Sequence, residues 1–227
     1  CNKVILIRSS PLARVLGTIP GISESYTRWE DVPQVSAYST LSGLPRLFST
    51  RPDTIPDCRG LLHVGADDAA RWVKKINEAA PKARLRIGLA WSGRIEFGDN
   101  FLRTLPVDAI KPLLDVAETR FFSLQVGPLA SQADELGIVN LSAELTDFAE
   151  TAAEIQALDL IITSDTAVAH LAGTLGRPTW VLLSYAPDWR WGPESSQSDW
   201  YPSMHLFRQD HTRSWELTVS TVKNILE

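Results

Sequence analysis

The sequence predicts an α/β protein organised on a doubly wound parallel sheet, and three observations carry that expectation. From residue 85 onward, short apolar runs alternate with amphipathic stretches, the pattern of strands joined by crossover helices. Several runs are apolar on consecutive rather than alternate residues, as strands covered on both faces must be. Residues 158–178, LDLIITSDTAVAHLAGTLGRP, pass from strand to turn to helix to helix stop with no intervening linker. Ser164, Asp165 and Thr166 are candidate caps there, and Gly176 and Pro178 are the stop.

The elements follow in order. Residues 4–7 (VILI) read as a strand, Ser10 and Pro11 open a helix running to about Gly17, and residues 25–29 read as a second strand. Residues 31–62 are rich in Pro, Ser, Thr and Gly without periodicity, a long irregular connection. Residues 67–80 form an amphipathic helix with Ala70, Val73, Ile76 and Ala80 on one face, ended by Pro81. Strands are then expected at 85–90, 121–124, 138–141, 158–163, 179–183 and 205–207. Helices are expected at 107–117, 128–136, 148–158, 167–175 and 215–226, with a loop over 91–103. Residues 1–80 read as a partial N-terminal α/β unit, and residues 81–227 as a complete Rossmann-like unit.

Composition narrows the function classes. The chain has 227 residues, 44% of them hydrophobic, and a net charge of −5 without a basic run, so nucleic-acid binding is disfavoured. No apolar stretch approaches the ~20 residues of a membrane span, and no signal peptide is visible. Cys1 and Cys58 are too few for a disulfide framework and suggest a reducing, cytoplasmic setting. Eight Trp is a high count, and five lie between residues 180 and 215. The sequence opens at Cys1 in an apolar run and its one Met is Met204, which reads as a fragment or processed product.

Three loops should converge at the carboxyl edge of the sheet. Trp91-Ser92-Gly93 follows the first strand; its small residues either admit a ligand to the backbone or make an ordinary turn. Gln125 ends the second strand and can hydrogen-bond a base, ribose or phosphate. At the third, the N–H groups of Thr166, Ala167 and Val168 open a helix and suit a phosphate or diphosphate. Asp165 beside an anion would be repulsive, so it either accepts from sugar hydroxyls or only caps the helix. His170 lies four residues after Thr166 and either reaches a phosphate or sits in the core. Arg103 closes the 94–102 loop and either swings over a diphosphate or is solvated. Asp188-Trp189-Arg190-Trp191 places aromatics where they stack on a ligand or plug an interface. The four His show no zinc spacing, and GxGxxG, P-loop and GxSxG motifs are absent, so neither metal nor cofactor is expected.

Taken together, GLAWSG (88–93), Arg103, SLQ (123–125), SDTAVAHLAGTLGRP (164–178), PDWRW (187–191) and DWYPSMHLFRQ (199–209) resemble one family. It is the glycosyltransferase family 9-like domain, related to heptosyltransferases, that often follows tetratricopeptide repeats in bacterial proteins. The match extends weakly through SPLARVLGTIPGI (10–22) and DTIPDC (53–58), and so covers nearly the whole chain. The resemblance implies a GT-B architecture and metal-independent transfer from a nucleotide-diphosphate sugar to an acceptor, glycan or protein. It carries the donor-holding turn onto Asp165, Thr166, Ala167, Val168 and His170; with Ser92, Gly93, Arg103 and Gln125 of the loops described above, these make the expected nucleotide-sugar site.

Departures from the family pattern define the rival expectation. The family's Gly-Asp loop, whose Asp is the base in heptosyltransferases, would precede residue 1, so no catalytic residue is assigned. Val126 stands where relatives commonly carry Lys, and Gly93-Arg94-Ile95 replaces Gly-Asn-Pro. Phe97 stands in place of a His, and Asp99-Asn100 reverses the usual order. Arg94 would restore the missing positive charge. The alternative is a non-catalytic GT-B-like binding module.

Overall fold

Two parallel sheets are formed by the strands of the computed structural model, which describes residues 3–227. The opening at Cys1 lies outside the described residues. The smaller sheet pairs β1 (Ile5–Ile7) with β2 (Glu24–Tyr26), joined through a short turn and α1 (Ala13–Leu16). The irregular 31–62 segment carries α2 (Leu44–Leu47) and exposes Tyr38, Leu41, Leu47 and Phe48. Next comes α3 (Ala66–Ala79), whose Asp67 and Asp68 meet the positive end of its dipole.

Of the face expected on α3, Ile76 and Ala80 are buried, but Ala70 and Val73 are exposed and Trp72 enters the core instead. Trp72 is fully enclosed, whereas Val73 is 43% exposed. The reason is polar as well as apolar: the Trp72 indole N–H donates to Glu150 at 2.8 Å, so the largest side chain enters the core with its donor satisfied.

The larger sheet comprises β3 (Leu85–Ala90), β4 (Thr119–Ser123), β5 (Val139–Asn140), β6 (Leu160–Ser164), β7 (Thr179–Leu183) and β8 (Met204–Arg208). Its order is β5-β4-β3-β6-β7-β8, and every pairing is parallel. The chain starts at β3, winds outward through β4 and β5, then returns to β3's other side and winds outward again. That reversal leaves a crevice between the carboxyl ends of β3 and β6, where open α/β sheets bind ligands. In register, Leu89 faces Ile162 and Ala90 faces Thr163, so both strands deliver their following loops to one place.

Crossovers run through α4 (Asn100–Arg103), α5 (Val107–Ile110), α6 (Gln132–Glu135), α7 (Phe148–Ala157), α8 (Ala167–Thr174) and α9 (Trp215–Leu226). Successive residues of β3 serve opposite layers. Ile87 and Leu89 pack with Trp215, Val219 and Val222 of α9, while Ala90 joins Phe122, Ile161 and the α7 residues Ala152 and Ile155. All five residues of β6 are buried, the apolar Leu160, Ile161 and Ile162 together with the polar Thr163 and Ser164 at its carboxyl end.

Several helices are shorter than their apolar patterns. The expected helix over 107–117 is α-helical only through Ile110 and continues as a tighter turn, Lys111–Asp115, because Pro112 has no N–H to donate. The expected helix over 128–136 likewise begins as a tight turn containing Pro128 and becomes α-helical at Gln132. In the expected loop over 91–103, Asn100–Arg103 close into a helical turn.

Asp147 caps α7, accepting from the N–H groups of Ala149 and Glu150 at 2.9 and 3.0 Å. Arg14 reaches Asp68, Asp147 and Glu150, and Arg71 reaches Asp68 and Glu150, so α1 and α3 are both tied to α7. Burial opposes ionisation of Glu150, but hydrogen bonds from Arg71, Trp72 and Arg14 outweigh it and hold the carboxyl below the usual range.

Candidate functional site

The β3/β6 crevice is lined by the Trp91-Ser92-Gly93 turn on one side and the Asp165-Thr166 turn on the other. The second turn follows directly from β6. Thr166 is extended at the N-cap of α8, and its hydroxyl accepts from the Val168 N–H at 3.2 Å. A bond to Thr163 Oγ1 at 3.0 Å locks that hydroxyl. The backbone N–H groups of Thr166 and Ala167 find no acceptor among the described residues. Thus two of the three amides expected to be free have no partner, and that of Val168 is taken by the cap. Beyond α8, Gly176 adopts a left-handed conformation (φ 69°), and the Gly176 and Arg177 amides return to Gly173 and Ala172. The stop is the one expected from Gly176.

Asp165 is the centre of the site. It is only 6% exposed, yet its carboxylate accepts no hydrogen bond among the described residues. One oxygen lies 4.0 Å from Arg103 Nη1 and the other 4.0 Å from His170 Nε2. Those separations exceed hydrogen-bond length, so no described residue occupies the lone pairs of the carboxylate.

Arg103 is brought there by Asn100, which sequence reasoning noted only for its reversed order with Asp99. Asn100 Oδ1 accepts from Gly93 N at 3.1 Å and from Arg103 Nε at 3.3 Å. Its Nδ2 donates to Ser92 Oγ at 2.9 Å and Thr104 Oγ1 at 3.1 Å. One buried amide therefore folds the 94–103 segment back over the turn. Gly93 permits this: a Cβ there would stand 2.7 Å from Asn100 Oδ1. The guanidinium also lies over the Phe97 ring, 5.6 Å from its centre. A cavity of about 410 Å³ opens beside it, lined in part by Ser92, Phe97, Phe101 and Leu129.

Gln125 is buried, and its Oε1 accepts from the Trp91 and Ser92 N–H groups at 3.2 and 3.0 Å. It splices the ends of β3 and β4. Its Nε2 donates to the Val126 carbonyl. Val126 itself is 48% exposed, and Arg94 is exposed beside Glu96.

His170, on the first turns of α8, joins the site at Asp165. Its Nδ1 lies 3.0 Å from the Tyr201 hydroxyl, and its ring stacks on Trp191 at 5.3 Å and 15°. Burial holds the imidazole below its usual range, partly opposed by Asp165. The aromatics of the 188–191 loop divide. Trp191 is enclosed against His170, while Trp189 is 69% exposed, beneath Arg190. Tyr201 is not among the candidate residues of the sequence; the DWYP motif that contains it is the signal that points there.

Among the described residues, no three His, Cys, Asp or Glu side chains are grouped to hold a metal ion. No helix among them is long and apolar enough to cross a membrane.

The comparisons with known proteins bear on this geometry. The model of "Glycosyltransferase family 9 (heptosyltransferase)" matches residues 126–210, which include β6, the Asp165 turn, α8 and the Trp-rich loop. Residues 126–210 are a glycosyltransferase family 9 match. The chain is similar to Protein FlbA of Caulobacter vibrioides, 27% identical over 194 residues, covering 81% of this chain and 31% of that protein. It thus spans about a third of that relative's length. Among solved structures, the E. coli ADP-heptose lps heptosyltransferase II superposes with a TM-score of 0.53 at 18% identity, covering 73% of this chain and 53% of that one. The glycosyl transferase family 9 structure from Veillonella parvula gives 0.53 at 15% identity, covering 91% and 64%. At these identities the structural likeness bears on fold, and the fold is α/β with a six-stranded parallel, GT-B-like sheet.

Proposed function

We propose that this chain is the donor-binding part of a glycosyltransferase that takes a sugar from a nucleotide diphosphate and passes it to a glycan or protein acceptor. The observation that carries it is Asp165: a buried carboxylate that accepts no hydrogen bond from the described residues, at the sheet's crevice, beside one arginine and two helix-opening amides that are likewise unpartnered among them. A carboxylate left so is costly unless donors arrive from elsewhere, and sugar hydroxyls are donors. The amides of Thr166 and Ala167 and the guanidinium of Arg103 complement a diphosphate, which Asp165 alone would repel. Ser92, Gly93, Gln125 and Val168 shape the two turns, and His170 adds a ring nitrogen. Charge that develops on the departing diphosphate would be stabilised by the same amides and Arg103. The transfer would need no metal, in a cytoplasmic protein with tetratricopeptide repeats. Residues 1–80 would lie on the acceptor side and residues 81–227 on the donor side.

One observation favours a binding module without turnover. Val126 exposes an apolar side chain at the mouth of β4, where family 9 relatives commonly place a lysine. The full-length gene product, incubated with a panel of nucleotide sugars and assayed for released nucleoside diphosphate, separates the two. Release supports the transferase. Binding without release supports the module.

A further inference from the structure

A neutral imidazole has one proton and two nitrogens, and the surroundings of His170 decide between them. Its Nδ1 lies 3.0 Å from the Tyr201 hydroxyl. A phenol is a good donor and a poor acceptor, while a bare imidazole nitrogen is a strong acceptor, so the Tyr201 O–H points at Nδ1. On the opposite edge, Nε2 faces an Asp165 oxygen at 4.0 Å. A carboxylate accepts and never donates, so it favours a proton on the nitrogen that faces it. The two contacts ask for the same tautomer.

The ring has little freedom to choose otherwise. Trp191 stacks on one face, 5.3 Å away and nearly parallel. Tyr201 is held against α8 at Gly173, where a Cβ would stand 2.5 Å from the Tyr201 ring carbons and from Met204 Cε. A glycine one turn after His170 is thus what lets the phenol come close enough to reach the imidazole.

We propose that Tyr201 is a positioning residue that holds His170 as the neutral Nε2–H tautomer, so that the ring presents a single uncharged donor beside Asp165 to a diphosphate oxygen. Only the last clause rests on the donor-site reading above. Two features agree with it. Burial pushes the Tyr201 hydroxyl up to about 12, so it stays a donor at neutral pH. Burial also keeps His170 below its usual range; the charged groups around it are Asp165 and Asp188, which favour its protonation, and Arg190 and Arg103, which oppose it. The site's positive charge then belongs to Arg103 and the helix-opening amides, and His170 contributes direction rather than charge.

The test uses the 227-residue protein labelled with ¹⁵N-histidine and read by imidazole ¹⁵N–¹H multiple-bond correlation at neutral pH. Signals are assigned by their loss in His170→Gln. The wild type should show a protonated Nε2 and a bare Nδ1. Tyr201→Phe, which keeps the ring and removes only the hydroxyl, should populate the second tautomer. Its affinity for ADP or UDP by calorimetry should fall about three- to tenfold, the worth of one hydrogen bond. A protonated Nδ1 in the wild type, or an unchanged spectrum in Tyr201→Phe, overturns the assignment. A shifted tautomer with unchanged affinity overturns the role toward the ligand. If the tautomer is as stated but neither nucleotide binds the wild type, the donor-site reading fails and the assignment stands.

Discussion

Glu154 offers a measurement of how much the fold tolerates at its centre. It lies on α7 with no solvent exposure, and neither carboxyl oxygen has a partner among the described residues. Burial, reinforced by the charge of Glu144, pushes its carboxyl well above the usual carboxylate range. The folded protein therefore keeps a proton that the unfolded chain loses above about pH 4.3. More protons are bound in the folded state, so stability falls as pH rises from there toward the folded value. Glu154→Met has a similar volume and no polar atoms to strand. Burying an unpartnered neutral polar group costs about 1–3 kcal/mol, so at neutral pH the variant should gain at least that much. For a chain of this size the gain is a Tm rise of roughly 2–10 °C. Glu154→Gln removes the titration but keeps a buried polar group, so it should flatten the pH dependence with little gain at low pH. Urea unfolding of the three proteins, from about pH 5 to about pH 8, reads both effects. An equal slope in wild type and Glu154→Gln would refute the reasoning.

Three further outcomes follow from the packing. Gly173→Ala should lose about 1–3 kcal/mol in urea unfolding, because its methyl meets the Tyr201 ring and Met204 at 2.5 Å. Asn100→Ala should weaken ADP or UDP binding about five- to tenfold by calorimetry, since it releases both Gly93 and Arg103. A loss confined to thermal stability would show that Asn100 only supports the loop. Glu150→Ala should cost about 1.5–3 kcal/mol by stranding the Trp72 indole and two arginines. Because the folded Glu150 carboxyl is held low, the wild-type advantage should shrink as pH falls through the acid range.

The parts of this fold that were legible in the sequence were local. The apolar run of β6, the threonine cap of α8 and the Gly176 stop are each read from neighbours within a few residues. What stayed hidden depended on residues far apart in the chain. Trp72 replaces Val73 in the core because Glu150, on another helix, accepts its N–H. Gln125 reads from the sequence as a ligand contact, whereas its hydrogen bonds to the turn after β3, which splice two strand ends, are not legible there. Prolines were visible, but the weight of Pro112 against a good apolar period was not. At the site, Asp165, Thr166 and His170 stood out because turn and helix lie together in sequence. Tyr201 did not, since its partner His170 is reached only through β7 and the Trp-rich loop.

The most direct test of the donor site is calorimetric titration of wild type and Asp165→Ala with a nucleotide sugar and with its bare nucleoside diphosphate. If Asp165 receives sugar hydroxyls, the substitution weakens the nucleotide sugar about tenfold or more and leaves the nucleoside diphosphate within about twofold. Equal losses for both ligands, or binding of neither to the wild type, would contradict the account.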